Sequence, residues 1–243
     1  TRFRLVGRDS PLDGKVHLDL LGLVRRAFGR VWPDCRLATA ERSLLGLSRV
    51  GDLPGSEAPE AWLAWLRCGE TARLGGVLAH NRQDLLSLAA LAAPIARSFR
   101  DPAATGAEIG AVAGYHLARG DEARAFALLL THRRSLSVPA LLELARLHRA
   151  RGEWEAARAI WEMLAERDEP AAIEALAKYH EHRLRDFVGA LRLAERLPAG
   201  PERERRCRRL ASRLSGDPQA EPGAAPVHRL GGIAEAQARR RWG

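Results

Sequence analysis

The chain has 243 residues, of which 46% are hydrophobic and 28% charged, enough to bury a substantial core in one large domain or two small ones. No apolar run approaches the ~20 residues of a membrane crossing, and the opening Thr1-Arg2-Phe3-Arg4-Leu5 lacks a signal peptide's apolar stretch. Cys35, Cys68 and Cys207 are too few and too scattered for a disulfide framework or a paired-cysteine zinc site, so the expected setting is reducing and cytoplasmic, away from any membrane.

The formal net charge is +9, and arginine carries it, because Lys15 and Lys178 are the only lysines. The planar guanidinium fork suits phosphate oxygens better than a lysine point charge does. A basic balance favours polyanionic partners, although arginines decorating solvated helices give the same count. The chain opens on Thr1 and its only methionine is Met163, which leads to the expectation that it is a piece of a longer protein.

In chain order, Val16 to Leu21 alternates briefly and then runs into a helical pattern through Leu23, Val24, Ala27 and Phe28, predicting a short strand that feeds a helix. Trp32-Pro33-Asp34 breaks it. Thr39 is an N-cap for a short helix, Ala40 to Leu45, that Gly46 ends. Loop chemistry follows at Asp52 to Ser56, and Pro59 sits where a helix's first turn tolerates proline, with Trp62, Leu63, Trp65 and Leu66 on the apolar side. Two further helices are predicted between Thr71 and Ser98, interrupted near His80-Asn81. This much sheet is too little for an α/β domain, so the remaining strands are expected upstream of Thr1.

Residues 101–196 read differently. Tyr115-His116-Leu117-Ala118-Arg119-Gly120-Asp121 matches Leu147-His148-Arg149-Ala150-Arg151-Gly152-Glu153 at an offset of 32, and the offset reaches Tyr179-His180, where the glycine is lost. Second helices follow, marked by Ala125, Ala157 and Ala190. Helix, tight turn and helix at nearly the tetratricopeptide period predict stacked helical hairpins. His116, His148 and His180 then recur because the repeat recurs, which makes them packing residues. Trp154 and Trp161, seven apart, belong to a core and not to a base-stacking platform. Residues 183–243 hold 14 arginines and 7 acids, densest at Arg203 to Arg209; this stretch suits either a capping helix or nucleic-acid contact. Prolines from Pro218 onward mark a segment unlike a folded one.

The sequence carries no Walker, dinucleotide or G-x-S-x-G motif. His80-Asn81-Arg82-Gln83-Asp84 is the most suggestive stretch, because on a helix His80 and Asp84 share one face. A carboxylate one turn from an imidazole can hold a divalent metal while the ring takes a proton from water. Asn81 as N-cap and Asp84 at the third helical position would equally form a variant capping box, and both roles stay open. Asp19, His17 on the same strand face, and Glu41-Arg42 at a helix start have ordinary structural explanations.

Residues 1–97 resemble the C-terminal half of the YprB-like RNase H-like domain, a family of predicted DEDD-type exonucleases. The likeness lies in the order and spacing of Thr1 to Arg4, His17 to Leu21, Cys35 to Gly46, Asp52 to Pro59 and His80 to Asp84. It implies a metal-dependent 3′→5′ exonuclease in which four carboxylates hold two Mg2+ or Mn2+ ions. Asp84 would be the last of the four and His80 the residue that orients or deprotonates the water. The family's other acidic motifs would precede Thr1, so the chain by itself is expected to be inactive.

The sequence thus predicts a mostly α protein: the C-terminal part of an α/β RNase H-like domain over 1–100, tetratricopeptide-like α-α repeats over 101–214, and a basic tail over 215–243. The expected partner is single-stranded DNA or RNA, with a protein partner on the repeats. The alternative is a non-enzymatic interaction scaffold.

Overall fold

A computed structural model describes residues 14–49 and 55–215, together with Gly7. The chain divides into two compact units, 1–157 and 158–243. Every regular element among the described residues is helical.

In the first unit, α1 (Leu20–Phe28) starts at Asp19, whose carboxylate accepts the N–H of Leu21 at 2.9 Å. The expected strand over 16–21 is absent: Val16 and Leu18 are exposed and no strand lies among the described residues to pair with them. Alternation alone does not make a strand without a neighbour. Asp19 is therefore a helix cap.

The short α2 (Leu37–Ala40) begins earlier than predicted. Thr39 is not its cap; its hydroxyl donates to Asp34 Oδ1 at 2.6 Å, and the N–H of Arg36 donates to the same oxygen at 3.0 Å. That hydroxyl first, then that amide, holds the Asp34 carboxyl below its ordinary value. The helix then widens into a π-helical turn, Glu41–Leu45, closed by Gly46 at φ 68°, as a left-handed stop requires.

α3 (Ala58–Cys68) has its proline in the first turn, as predicted, but its apolar side is not buried. Only Ala61 is buried, while Trp62, Leu63, Trp65 and Leu66 are exposed. α4 (Ala72–Arg100) is one continuous helix of 29 residues where two were predicted. Asn81 thus lies in a helix interior and caps nothing. A single asparagine costs a helix only tenths of a kcal/mol, less than the alanines and leucines around it supply. Pro94 also sits inside this helix.

The second half of α4 builds the core. Leu91, Ile95 and Phe99 pack with Val24, Ala27 and Phe28 of α1, with Ala40, and with Val112 of α6 (Ile109–Ala118). Phe28 stacks on Trp32 with ring centroids 4.0 Å apart. The short α5 (Pro102–Thr105) carries the chain between α4 and α6. Glu108 ties α6 down: its N–H donates to Ala27 O at 2.8 Å, and its carboxylate accepts the N–H groups of Gly110 and Ala111. The first half of α4 is different, with Leu78, Leu85, Leu86 and Leu88 exposed.

Helical pairs follow. α6 turns into α7 (Glu122–Thr131), then come α8 (Val138–Ala150) and α9 (Trp154–Ala165), within which the division between the two units falls. The second unit holds α10 (Pro170–Tyr179), α11 (Phe187–Glu195) and α12 (Pro201–Ser215). Ala190, Ala194 and Leu210 are fully buried there and let α11 and α12 approach closely.

The repeat histidines lock the turns. His116 lies 3.7 Å from Asp121, His148 Nδ1 lies 2.6 Å from Glu153, and His180 Nδ1 lies 2.9 Å from Asp186. Gly120 and Gly152 take the left-handed position with φ of 79° and 78°. In the third turn one extra residue is absorbed by a second π-helical turn, His180–Leu184, and Arg185 takes the left-handed position at φ 59°.

Candidate functional site

A polar cluster forms where the first π-helical turn meets the middle of α4. Its floor is Glu41, whose side chain is 1% exposed. Glu41 stands four residues after Leu37 and three and four before Leu44 and Leu45, so it lies on the face these leucines turn to the core. Arg49, 16% exposed, grips it as a fork: Nη2 lies 2.6 Å from Oε1 and Nε 2.8 Å from Oε2. A paired, hydrogen-bonded partner is what a buried carboxylate requires.

The same guanidinium reaches the helix above. Arg49 Nη2 is also 2.6 Å from Asp84 Oδ1, and Nη1 is 3.4 Å from His80 Nδ1. His80 and Asp84, one turn apart on α4, meet directly, with Nε2 3.5 Å from Oδ2. Their side chains are 25% and 32% exposed, so the cluster opens to solvent on this side. A guanidinium has no acceptor. Its approach to Nδ1 makes that nitrogen the acceptor and puts the ring proton on Nε2, facing Asp84. In this tautomer the Nε2 proton of His80 faces Asp84 Oδ2. One residue along, Gln83 donates to Ser87 at 3.1 Å, and Ser87 is buried in the wall of α4.

The structure thus brings His80 and Asp84 together, as the spacing predicts, and adds two residues. Glu41 was read in the sequence as an acid at a helix start; the signal for its depth, its place on the same helical face as Leu37, Leu44 and Leu45, was missed. Arg49 carried no sequence signal, since its partners stand 8, 31 and 35 positions away. Asp19 is a cap and Thr39 a hydrogen-bond partner of Asp34, both outside the cluster. The repeat histidines each face a turn acid, so none is assembled with another histidine.

The likeness to RNase H-like nucleases implies divalent metals, and the donor set is the test of fit. Both carboxylates here already share one cation, the Arg49 side chain. Among the described residues no three His, Cys, Asp or Glu side chains are grouped to hold a metal ion. With Arg49 in place these residues do not fit a dication. Among the described residues, no helix is long and apolar enough to cross a membrane.

Comparisons with known proteins place this geometry in context. The chain is 30% identical over 189 residues to a Bacillus subtilis (strain 168) protein called "Uncharacterized protein YprB", an alignment that takes in 74% of this chain and 46% of that protein. The chain therefore spans about half the length of the curated relative it matches. No solved structure matches. A family described as the RNase_H superfamily matches residues 1–95, a segment that contains Glu41, Arg49, His80 and Asp84, and the likeness is confined to that segment.

Proposed function

We propose that this chain is part of a metal-dependent 3′→5′ exonuclease that acts on single-stranded DNA or RNA. In that reading Asp84 is one carboxylate of a Mg2+ or Mn2+ centre, and His80 orients or deprotonates the attacking water. The remaining carboxylates come from residues of the longer protein outside those described here, and the chain alone does not hydrolyse nucleic acid. The observation that carries the reading is the meeting of His80 and Asp84 on the solvent-open side of a buried acid cluster, inside the RNase H-like segment. A part-built domain is also in keeping with the exposed leucines on the first half of α4 and the exposed tryptophans of α3. Because the described residues do not fit a dication, no hydrolytic step is assigned to this chain by itself.

We read the helical pairs between α6 and α11 as tetratricopeptide-like hairpins, which would support the nuclease segment or present a partner to it. The second reading, a non-enzymatic interaction scaffold, is favoured by the regularity of the His–acid turn locks, which serve architecture alone. One experiment separates the two. The longer protein is incubated with labelled single-stranded DNA and RNA and Mg2+ or Mn2+, alongside its Asp84→Asn variant. Metal-dependent shortening that the variant loses supports the nuclease. Shortening that the variant retains removes Asp84 from the site, and no shortening in either supports the scaffold.

A further inference from the structure

Three arginines gather at the end of α1. Arg25 and Arg26 stand in its last turn and Arg30 just beyond it, and with the starts of α6 and α8 they line an open groove of about 450 Å3. The groove lies wholly within the first unit, between α1 of the segment similar to RNase H and the helical pairs that follow. The N–H edges of these arginines are largely uncommitted. The Arg25 side chain has no hydrogen-bond or ion-pair partner among the described residues. The Arg26 guanidinium lies 5.7 Å from the centre of the Tyr115 ring, a contact of its face. Arg30 is 78% exposed and stands 3.9 Å from Glu108, beyond hydrogen-bond reach.

Two acids, Glu108 and Glu143, also line the groove, but each is engaged elsewhere. The Glu108 oxygens accept the N–H groups of Gly110 and Ala111 at 3.1 and 2.7 Å. Glu143 Oε1 accepts Nε and Nη2 of Arg146 at 2.9 and 2.8 Å. Their charge is answered in place, whereas the arginines offer theirs outward. Basic side chains near a helix C-terminus complement its dipole. That accounts for Arg25 and Arg26 singly, but not for Arg30 past the helix end, nor for all three meeting on one groove.

We propose that this groove binds the phosphate backbone of single-stranded nucleic acid, with Arg25, Arg26 and Arg30 as its phosphate-contacting residues. The proposal rests on reading the chain as part of a nuclease that acts on single strands, and it adds where the strand is held. A guanidinium fork offers two parallel N–H groups to the oxygens of one phosphate. A strand supplies one such charge per nucleotide, so each arginine can take its own. The opposite wall is backbone and small residues at Gly110, Ala111 and Gly114, which carry no groups to read base edges. Binding is therefore independent of sequence.

The test is fluorescence anisotropy of a labelled oligothymidylate with the 243-residue chain, in EDTA, across NaCl from about 50 to 200 mM. Each phosphate contact with a single strand contributes about 0.7 to the slope of log K against log salt. Replacing Arg25, Arg26 and Arg30 together by Gln is expected to lower that slope by about 2 and to weaken binding about tenfold at the low-salt end. A charge-matched control, Arg203→Gln with Arg205→Gln and Arg208→Gln on α12, is expected to weaken it less than about threefold. No binding by wild type, no loss in the groove variant, or equal loss in the two variants overturns the proposal. So does a groove variant that loses a labelled oligoglutamate while holding the oligothymidylate, since the occupant is then an acidic protein. If the triple variant does not fold, Arg25→Gln decides, because that side chain has no partner to lose; its slope is expected to fall by about 0.7, and an unchanged slope overturns the proposal. With no metal present, binding is read apart from hydrolysis. A longer protein that never shortens the strand ends the proposed function and leaves the groove standing. An unchanged salt slope in the groove variants does the reverse.

Discussion

The two π-helical turns make a natural comparison. In each, two successive backbone N–H groups converge on one carbonyl: Gly46 and Leu47 on Glu41, Arg185 and Asp186 on His180. Each ends in a left-handed residue and carries a glutamate at 0–1% exposure under an arginine: Glu41 under Arg49, and Glu181 under Arg209, whose nitrogens lie 2.8 and 2.9 Å from its two oxygens. The difference is in what else the arginine touches. Arg49 goes on to Asp84 and His80 on a solvent-open face, whereas Arg209 runs between α12 and the turn and serves the packing of the second unit. A π-helical turn, often a mark of function, here coincides in both cases with an acid buried on the apolar face of its helix. Among the described residues, only at the first turn does the acid's arginine reach further ionisable groups.

The largest effects should fall on both turns alike. Arg49→Met and Arg209→Met each take the fork from a buried glutamate, and each should cost about 3–5 kcal/mol in urea unfolding. A loss below about 1 kcal/mol at either site would show that its ion pair does not hold the turn. Stability thus leaves the turns equivalent, and activity should divide them. Arg49→Lys keeps the charge but not the fork. It should change metal-dependent turnover in the longer protein, whereas Arg209→Lys should leave turnover within about twofold because Arg209 lies outside the segment similar to RNase H.

A smaller effect sharpens the comparison of turn endings. Arg185 holds φ 59° where Gly46, Gly120 and Gly152 hold 68°, 79° and 78°. Arg185→Gly should therefore stabilise by about 1 kcal/mol and Gly152→Ala destabilise by about as much. Opposite signs in thermal unfolding would contradict the strain argument.

The smallest effect is in pH. The backbone N–H of Gly189 first, and His180 second, hold the Asp186 carboxyl below its ordinary value. A depressed carboxyl stabilises the folded state above its unfolded value, near pH ~4, and the contribution is lost as pH falls through the folded value. Asp186→Asn keeps the cap and removes the charge. Its stability deficit against wild type should be present at neutral pH and shrink as pH drops below ~4; a deficit that grows on acidification would reverse the sign.

What the sequence made legible was local. Pro59 in a first turn, Gly46 as a stop, and the Arg-Gly-acid turns at Gly120 and Gly152 each satisfy a backbone requirement that a few neighbours settle. His80 and Asp84 were legible as a pair because one helical turn brings them together. The interruption expected at Asn81 failed because a capping residue signals a helix start only when the chain before it is not already helical, and α4 runs through it. The expected strand at Val16 failed because pairing is a long-range matter. Arg49 was hidden for the same reason: nothing at position 49 announces a partner 35 residues on.

The measurement that tests the central claim most directly is degradation of 5′-labelled single-stranded DNA and RNA by the longer protein with Mn2+, comparing wild type, Asp84→Asn and Arg209→Lys. The account predicts stepwise shortening from the 3′ end by wild type and Arg209→Lys, and none by Asp84→Asn. Shortening by Asp84→Asn at the wild-type rate would contradict it.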